Sequence, residues 1–505
     1  MDKSLDCNSS NSHENLTNPT VVNPKSREIL RRAETGKAQD TSYGTTNGTT
    51  NGFANGSSSN SFSPLGNMNG EHEPLLGGQG SSILHPEPGF WRHVFINTRS
   101  SPGTNNPNPF IRYPAHLWNV TKVTLLSSWI NLLLVFVPLG IIAGELEWSA
   151  PWVFTLNFFA IIPLAAVLSF ATEEIAGRLG ETLGGLVNAT FGNAVELIVS
   201  IVALRAGEIE VVQSSMIGSI LSNLLLVLGM CFFLGGVYNM RGADGNGIEQ
   251  RFSSGAAQTT SSLMTLASAS MILPAALYGV LSQADEDNKK ASILVLSRGT
   301  AVILLFLYVL YLYFALRTHK KLFEPEAPDA QGLASTQEEQ EEEEPVLGPW
   351  AAAFVLVVVT VIISFCADYM VDSIDALVAT GKISKTFIGL ILIPIVGNAA
   401  EHVTACVVAV KNKMDLAMGV AIGSSIQIAL LVTPALVMLG WAIGQPMTLH
   451  FETFETIAFA LSVLVVTYTV QDGKSNYLEG AMLLGLYLII ALAFWASPAD
   501  ALGKD

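Results

Sequence analysis

The chain has 505 residues, of which 50% are hydrophobic and only 13% are charged, and its mean hydropathy is +0.43. Soluble domains carry roughly a quarter charged residues, so this composition is typical of a polytopic membrane protein. The formal net charge of -16 argues against nucleic acid as a partner, because no basic stripe is present to meet phosphate groups.

The N-terminal tail has a composition of its own. Residues 1–85 are polar and rich in Asn, Gly and Ser, as in TSYGTTNGTTNGFANG. Such a segment cannot bury enough apolar surface to offset the entropy lost on ordering, so we predict a disordered cytosolic tail. A connecting segment over 86–121 leads from this tail to the first apolar stretch.

Eleven apolar stretches are long enough to cross a bilayer, since a hydrocarbon core of about 30 Å needs about 20 helical residues. They lie near 122–144, 151–172, 183–205, 211–238, 256–281, 292–315, 348–368, 385–410, 414–440, 452–470 and 477–496. We therefore predict an all-α polytopic membrane protein with 11 transmembrane helices. Most Lys and Arg in the short loops favour a cytosolic N-terminus, and eleven spans then place the C-terminus on the lumenal side.

An acidic segment separates the sixth span from the seventh, within a predicted cytosolic loop over 317–346. Residues 324–344 contain nine acids and no base. A run of this kind is usually solvated and disordered. The alternative is a low-affinity calcium collector or sensor, and the sequence alone leaves both interpretations open.

Two copies of one motif, GNAVE at 192–196 and GNAAE at 397–401, lie 205 residues apart. The same offset aligns the Ile-Gly-Ser of 217–219 with that of 422–424, and the Leu-Leu-Val of 225–227 with that of 430–432. We predict an internal duplication, with a first repeat over 150–316, a second over 347–497 and one extra helix over 122–146. Each repeat has five spans, so the second enters the membrane in the opposite sense. Inverted repeats are typical of secondary transporters, whose site lies between the halves.

The repeated motif puts polar groups inside apolar spans. Asn193 and Glu196 are three residues apart and share a helix face, and Asn398 and Glu401 repeat this spacing. Glycine in each motif, and Pro394 in the second, favours broken helices with freed carbonyl oxygens. If the halves face each other, these groups form an all-oxygen shell that suits a hard cation such as calcium. The candidate metal ligands are Glu196, Glu401, Asn193, Asn398, Ser219, Ser222, Ser424, Gln427 and the carbonyl groups near Gly192 and Gly397.

Two carboxylates at the centre of the bilayer favour an exchange mechanism. A charged side chain there costs on the order of 2.5–3.5 kcal/mol on insertion scales, and two facing carboxylates also repel each other. One divalent cation or about two protons would neutralise the pair, so that proton and cation binding exclude each other. The alternative is a silently paired structural glutamate, but two copies at matched positions favour a function.

Two further residues are weaker candidates. His402 follows Glu401 directly and points about 100° away on a helix, which favours packing or gating over ligation. Glu173 stands at the cytosolic end of the second span, where it would either guide ions or serve as an exposed helix-end acid.

The segments ATEEIAGRLGETLGGLVNATFGNAVELIVSIVAL and GNAAEHVTACVVAVKNKMDLAMGVAIGSSIQIALLVTPALV closely resemble the repeat motifs of the calcium/proton exchanger family of the calcium/cation antiporter superfamily, particularly its fungal vacuolar members. The resemblance covers about 120–497. It implies a ten-helix core of two inverted five-helix repeats plus one extra N-terminal helix. It also implies exchange of cytosolic calcium for lumenal protons across the vacuolar membrane, without a prosthetic group. Nothing in the sequence excludes manganese as a further substrate.

The resemblance also implies roles for single residues. Glu196 and Glu401 would be the shared calcium/proton carboxylates, His402 a site residue beside the second, and Glu173 a residue near the cytosolic entrance. The acidic helix that binds regulatory calcium in relatives would be carried by Glu338, Glu339, Glu341, Glu342, Glu343 and Glu344.

Three other functions stay open on the sequence alone. A sodium/calcium exchanger shares the inverted repeat, and a calcium channel would show no proton coupling. A calcium sensor should tolerate the loss of Glu196 or Glu401. An enzyme is not expected, because we find no nucleophile–base set and no phosphate-binding loop in the sequence. Calcium, protons and the lipid bilayer are therefore the expected partners, and the oligomeric state stays open.

Overall fold

A computed structural model describes residues 104, 106–241, 247–281, 285–323, 346–381 and 383–497. The predicted tail over 1–85 and the acidic glutamates of 338–344 lie outside these residues.

The described part of the chain is almost entirely helical, with one short pair of strands. The helices are α1 (Pro109–Leu126), α2 (Trp129–Glu145), α3 (Ala150–Ala176), α4 (Gly180–Phe191), α5 (Ala194–Ala206), α6 (Ile209–Asn239), α7 (Ser254–Val280), α8 (Glu286–Thr318), α9 (Pro349–Val378), α10 (Lys385–Gly397), α11 (Ala399–Val410), α12 (Met414–Ile443), α13 (Thr453–Thr469) and α14 (Tyr477–Ala496). The strands β1 (Gln250–Arg251) and β2 (Lys474–Ser475) pair antiparallel, with Gln250 opposite Ser475.

Among the described residues, seven helices are long and apolar enough to cross a bilayer, and the number rises to ten if each bent pair counts as one span. The molecule is therefore a helical polytopic membrane protein, as predicted. The predicted span near 452–470 is the one that falls short by length. It corresponds to α13, whose 17 residues reach only about 25 Å.

The first predicted span, 122–144, is not one straight helix. α1 and α2 meet at 109°. Ser128 takes an extended conformation (φ -145°, ψ 145°), and its hydroxyl accepts a hydrogen bond from the backbone N–H of Ile130, so that a new helix begins there. Hydropathy averaged over 20 residues hides this polar Ser127-Ser128 step.

The spans predicted near 183–205 and 385–410 are each broken at the repeated motif. α4 and α5 meet at 41°, and α10 and α11 meet at 57°. The breaks fall at Asn193 (φ -99°, ψ 29°) and Asn398 (φ -91°, ψ 4°). Each break begins a new helix, and the glutamate of the motif lies in its first turn. A helix N-terminus carries a partial positive charge, which favours a carboxylate in that position.

The 205-residue offset recurs in the backbone beyond the motif. Gly207 directly follows α5 and Asn412 lies two residues after α11, and both residues have a positive φ, 85° and 59°. α6 and α12 each contain a π-helical segment, Ser222–Val227 in the first and Ile428–Val432 in the second. These matched features agree with the predicted duplication.

The first and second halves of the sequence pack directly on each other. At Gly218 the backbone of α6 meets the backbone of α10 at Leu390, a contact with no room for a side chain. α3 likewise packs along α9, with Ile161, Leu168 and Ile363 in the same buried cluster. Lipid is the expected neighbour of the outward-facing sides of the helices, because they expose large apolar side chains. α9 is an example, with a whole row of them. That row consists of Trp350, Phe354, Val357, Val361 and Phe365.

Candidate cation-binding site

Glu196 and Glu401, the two predicted carboxylates, lie at the broken helices and are close enough to interact electrostatically. Glu196 is only 4% exposed, and its Oε1 atom has no hydrogen-bond partner among the described residues. Glu401 is half-buried, and its Oε2 atom also lacks a partner there. Both carboxylates therefore keep oxygen atoms available for a cation or a proton.

Gly397 gives the Glu196 carboxylate its space. A Cβ atom added at Gly397 would lie 2.7 Å from Glu196 Oε1 and 3.0 Å from Glu196 Cδ. The glycine of the second motif is thus in contact with the glutamate of the first. The sequence predicted a role for Gly397 through its carbonyl group, and the structure adds this steric role.

Asn193 joins the first motif to α12. Its Nδ2 donates a hydrogen bond to Gln427 Oε1 at 2.6 Å, and its Oδ1 accepts one from Ser424 Oγ at 2.6 Å. Ser424 Oγ also accepts a hydrogen bond from Asn223 Nδ2 at 3.1 Å. The predicted ligands Asn193, Ser424 and Gln427 therefore meet across the two halves. They form a network in which each side chain orients another.

Asn398, the equivalent residue of the second motif, behaves differently. Its side chain is fully buried, yet neither its Oδ1 nor its Nδ2 has a hydrogen-bond partner in the part of the chain that the structure describes. The buried hydroxyl of Ser219 lacks a partner as well. An unsatisfied buried polar group costs about 1–3 kcal/mol, so these groups are more stable when a ligand supplies the missing contact.

His402 contacts the first half through a predicted ligand. Its Nε2 lies 3.3 Å from the Ser222 hydroxyl, in the π-helical segment of α6. Ser222 and its repeat equivalent Gln427 therefore have different partners, since Gln427 accepts a hydrogen bond from Asn193. The ring is half-buried beside Glu401 and is a neighbour of the carboxylate pair.

A cavity of about 460 Å³ leads to the site from one side of the molecule. Gly192, Glu401, Ser424 and Gln427 line it at the site. The C-terminal end of α3 and the N-terminal ends of α7 and α12 frame its outer part. The cavity therefore gives ions a route to Glu401 from one side.

Two carboxylates line the outer part of this cavity. Glu173, predicted near the entrance, is exposed and accepts a hydrogen bond from Ser169 Oγ at 3.1 Å. Asp415 was missed by the sequence reasoning, and its Oδ1 accepts a hydrogen bond from the backbone N–H of Ser253 at 2.7 Å. The neighbouring Glu174 is buried and accepts hydrogen bonds from the backbone N–H groups of Val346 and Leu347, so it ties α3 to the start of α9.

The donor set is made of hard oxygen atoms with few charges. Among the described residues, no group of three or more His, Cys, Asp or Glu side chains is placed to hold a metal ion. The carboxylates of Glu196 and Glu401 are therefore complemented by neutral amide, hydroxyl and carbonyl oxygens. Calcium accepts such oxygen donors in a flexible geometry. The predicted regulatory residues, from Glu338 to Glu344, lie outside the described ranges.

Comparisons with known proteins identify the family of this chain. The family model described as "Sodium/calcium exchanger protein" matches residues 149–317 and 351–496. The chain is 50% identical over 380 residues to the vacuolar calcium ion transporter of Schizosaccharomyces pombe, a match that covers 75% of this chain and 87% of the relative. It is 42% identical over 371 residues to the Ca²⁺/H⁺ antiporter of Aphanothece halophytica, covering 72% of this chain and 96% of the relative.

A solved structure has a similar fold over the same part of the chain. The structure of native YfkE matches with a TM-score of 0.59 and 34% identity, and covers 73% of this chain and 100% of its own. The family model and these relatives all describe transporters of calcium or other cations, so the chain is a transporter and not an enzyme. It belongs to the sodium/calcium exchanger protein family, and its relatives include vacuolar calcium transporters and calcium/proton antiporters.

Proposed function

We propose that this protein is a secondary active antiporter that exchanges calcium for protons at Glu196 and Glu401. The observation that carries the proposal is a pair of carboxylates at two broken helices, one from each half, with Glu196 buried and Glu401 half-buried. They lie beside buried polar groups that have no hydrogen-bond partner among the described residues. Relatives named as vacuolar calcium transporters and calcium/proton antiporters support it.

The cation would be held mainly by groups that have no other partner. Glu196 and Glu401 supply charge, while Asn398 Oδ1 and Ser219 Oγ supply neutral oxygens. The carbonyl groups at the two helix breaks complete an oxygen shell. Asn193 bonds to both Ser424 and Gln427. This network would orient the first motif and release side chains to bind the cation as the site closes.

Charge balance couples the two substrates. Two ionised carboxylates in a poorly solvated site repel each other, and either one calcium ion or about two protons removes that repulsion. Calcium that arrives displaces protons, and protons that arrive from the other side displace calcium. Because an empty charged site is disfavoured, the halves would reorient mainly when the site is neutralised.

We further propose the topology that the sequence predicts, with eleven spans in a ten-helix inverted repeat plus one extra helix. Loop charges support a cytosolic N-terminus and a lumenal C-terminus. In this orientation the cavity opens to the cytosol and receives calcium. The vacuolar membrane is the proposed location because of the relatives' names. The acidic segment is proposed as a cytosolic calcium sensor that adjusts the exchange rate.

The proposal is tested by calcium uptake into sealed vesicles under an imposed pH gradient without sodium. The wild type should accumulate calcium as the proton gradient collapses, and Glu196→Gln and Glu401→Gln should each abolish uptake. Glu249→Gln is the matched control, because Glu249 is exposed, does not line the cavity and forms a surface ion pair with Lys474, and such pairs contribute little.

Each outcome of this test has a separate meaning. Uptake that continues in either site variant would refute the two-carboxylate mechanism. Uptake indifferent to pH but restored by a sodium gradient would identify a sodium/calcium exchanger. Flux that needs no counter-ion would identify a channel.

A further inference from the structure

A further buried carboxylate, that of Glu455, lies outside the site and its cavity. Glu455, in the first turn of α13, is 1% exposed and accepts a hydrogen bond from Ser214 Oγ at 2.5 Å. Ser214 belongs to α6, so the bond joins the two halves. Burying a carboxylate is costly, and the hydrogen bond from the Ser214 hydroxyl offsets only part of that cost.

The repeat gives this contact an equivalent on the cavity side. The 205-residue offset maps Ser214 onto Gly419 and Glu210 onto Asp415. Gly419 and Asp415 both line the cavity. Ser214 therefore occupies on α6 the position that Gly419 occupies on α12, where Gly419 faces the open cavity.

Glu455 has an equivalent there as well. Phe252 precedes α7 and Phe451 precedes α13, and both rings are buried. When these two residues are aligned, Glu455 corresponds to Ala256, which lines the cavity. The Ser214–Glu455 contact thus corresponds to the space between Gly419 and Ala256, but on the other side of the molecule, where it is closed.

The helix directions support this opposite placement. The C-terminal end of α6 lies at the cavity side, where Asn239 Nδ2 donates to the carbonyl oxygen of Val410 just before α12. Ser214, near the N-terminal end of α6, is therefore toward the opposite side. The same holds for the first turn of α13, which follows the C-terminal end of α12.

Further bonds join the two halves around this contact. Gln213 Nε2 donates to the carbonyl oxygens of Thr448 and His450, both at 2.9 Å. Thr386 Oγ1 donates to Glu210 at 3.2 Å, and Lys385 forms ion pairs with Glu208 and Asp375. Residues 208–214 of the first half are therefore fastened to the second half at several points.

We propose that Ser214 and Glu455 form the closed gate on the side opposite the cavity, and that the Glu455 carboxylate lines the ion pathway when this gate opens. The proposal rests on the alternating-access exchange proposed above. When Ser214 separates from Glu455, the carboxylate meets water and offers a leaving cation or an entering proton its first charged contact. Glu452 and Glu210 lie close enough to act on Glu455 electrostatically, so the opened pathway would be acidic.

The test uses a pair of cysteines at equivalent positions, Ser214→Cys and Gly419→Cys. Serine to cysteine is a small change, and a Cβ atom at Gly419 meets no other atom within 4 Å. Each variant is labelled in sealed vesicles with a membrane-impermeant maleimide from the side that its position faces, and the parent protein gives the background from native cysteines. Calcium uptake is measured in the same vesicles.

At rest, Gly419→Cys should react and Ser214→Cys should not. Calcium together with a pH gradient should raise labelling of Ser214→Cys severalfold and lower that of Gly419→Cys. If uptake proceeds while Ser214→Cys stays unreactive, or while both change in the same direction, the gate is refuted and the exchange function stands. If the vesicles show no uptake, the proposed function itself fails.

A second variant separates the carboxylate from the fold. Glu455→Gln keeps an oxygen that can accept from Ser214, so the closed contact and calcium binding in detergent should persist while the maximal uptake rate falls severalfold. Ser462→Ala, a buried serine of the same helix that bonds only within α13, is the control. A wild-type uptake rate in Glu455→Gln would overturn the role of the carboxylate in the pathway.

Discussion

The contact between Gly397 and Glu196 allows the position of one carboxylate to be changed without changing its chemistry. In Gly397→Ala the new Cβ atom would lie 2.7 Å from Glu196 Oε1, whereas ordinary contacts begin at 3.4 Å. The carboxylate must therefore move by about 0.7 Å, a large shift against calcium–oxygen distances of about 2.3–2.6 Å. The obstructing atom ends a flexible side chain, so we expect the variant to fold.

Displacement of an ion ligand by its surroundings typically costs about 10- to 100-fold in metal affinity, and we expect Gly397→Ala to lose calcium affinity in this range. Equilibrium binding of radioactive calcium to purified protein measures the loss. Gly485→Ala, a helical glycine with no atom within 4 Å of the added Cβ, is the control and should bind as the wild type does. Unchanged affinity in Gly397→Ala would refute the assignment of Glu196 as a ligand in this position.

Three more predictions follow from the same contacts. Asn398→Ala should abolish calcium binding but leave the melting temperature of the calcium-free protein unchanged or higher. Asn193→Ala should lower that melting temperature, because Ser424 and Gln427 lose a hydrogen-bond partner worth about 1–3 kcal/mol. Equal changes of melting temperature in the two variants would contradict this asymmetry. Glu174→Ala should destabilise the protein by about 1.5–3 kcal/mol in thermal unfolding without changing calcium affinity, and altered affinity would contradict its structural role. Acidification should weaken calcium binding by up to about 100-fold per pH unit, since two protons compete with each ion, and a variant with one site carboxylate should approach about tenfold; a shallower wild-type titration would count against two coupled carboxylates.

The sequence predicted the centre of the site because its residues lie close together in the chain. Gly-Asn-Ala-x-Glu occurs twice, and the break and the buried carboxylate are consequences of five consecutive residues. The facing serines could be predicted from the same offset. The bonds from Asn193 to Ser424 and Gln427 follow once the two halves face each other.

The missed residues have no such local signal. Asn223 bonds to Ser424, but its equivalent at the same offset is Ile428, so the repeat does not mark it. Glu455 corresponds to Ala256, and its importance comes from a contact with Ser214 more than 200 residues away. Such contacts depend on how the helices pack, and the pattern of a single sequence does not reveal that packing.

Secondary structure was predicted well where hydropathy decides and poorly where single residues decide. Long apolar runs gave α3, α6 and α12 within a few residues. The 109° bend between α1 and α2 depends on one serine cap, which an average over 20 residues conceals. The helix α13 has 17 residues, fewer than the about 20 that a bilayer needs, although its apolar run predicted a full span.

The proposed exchange mechanism requires that calcium and protons compete for Glu196 and Glu401. The most direct measurement adds calcium to one side of sealed, sodium-free vesicles without any imposed pH gradient, and follows the internal pH with a dye. We expect calcium entry to drive protons out in the wild type and in Glu249→Gln, and neither ion to move in Glu196→Gln or Glu401→Gln. Calcium entry without proton movement, or proton movement that survives the loss of either carboxylate, would contradict it.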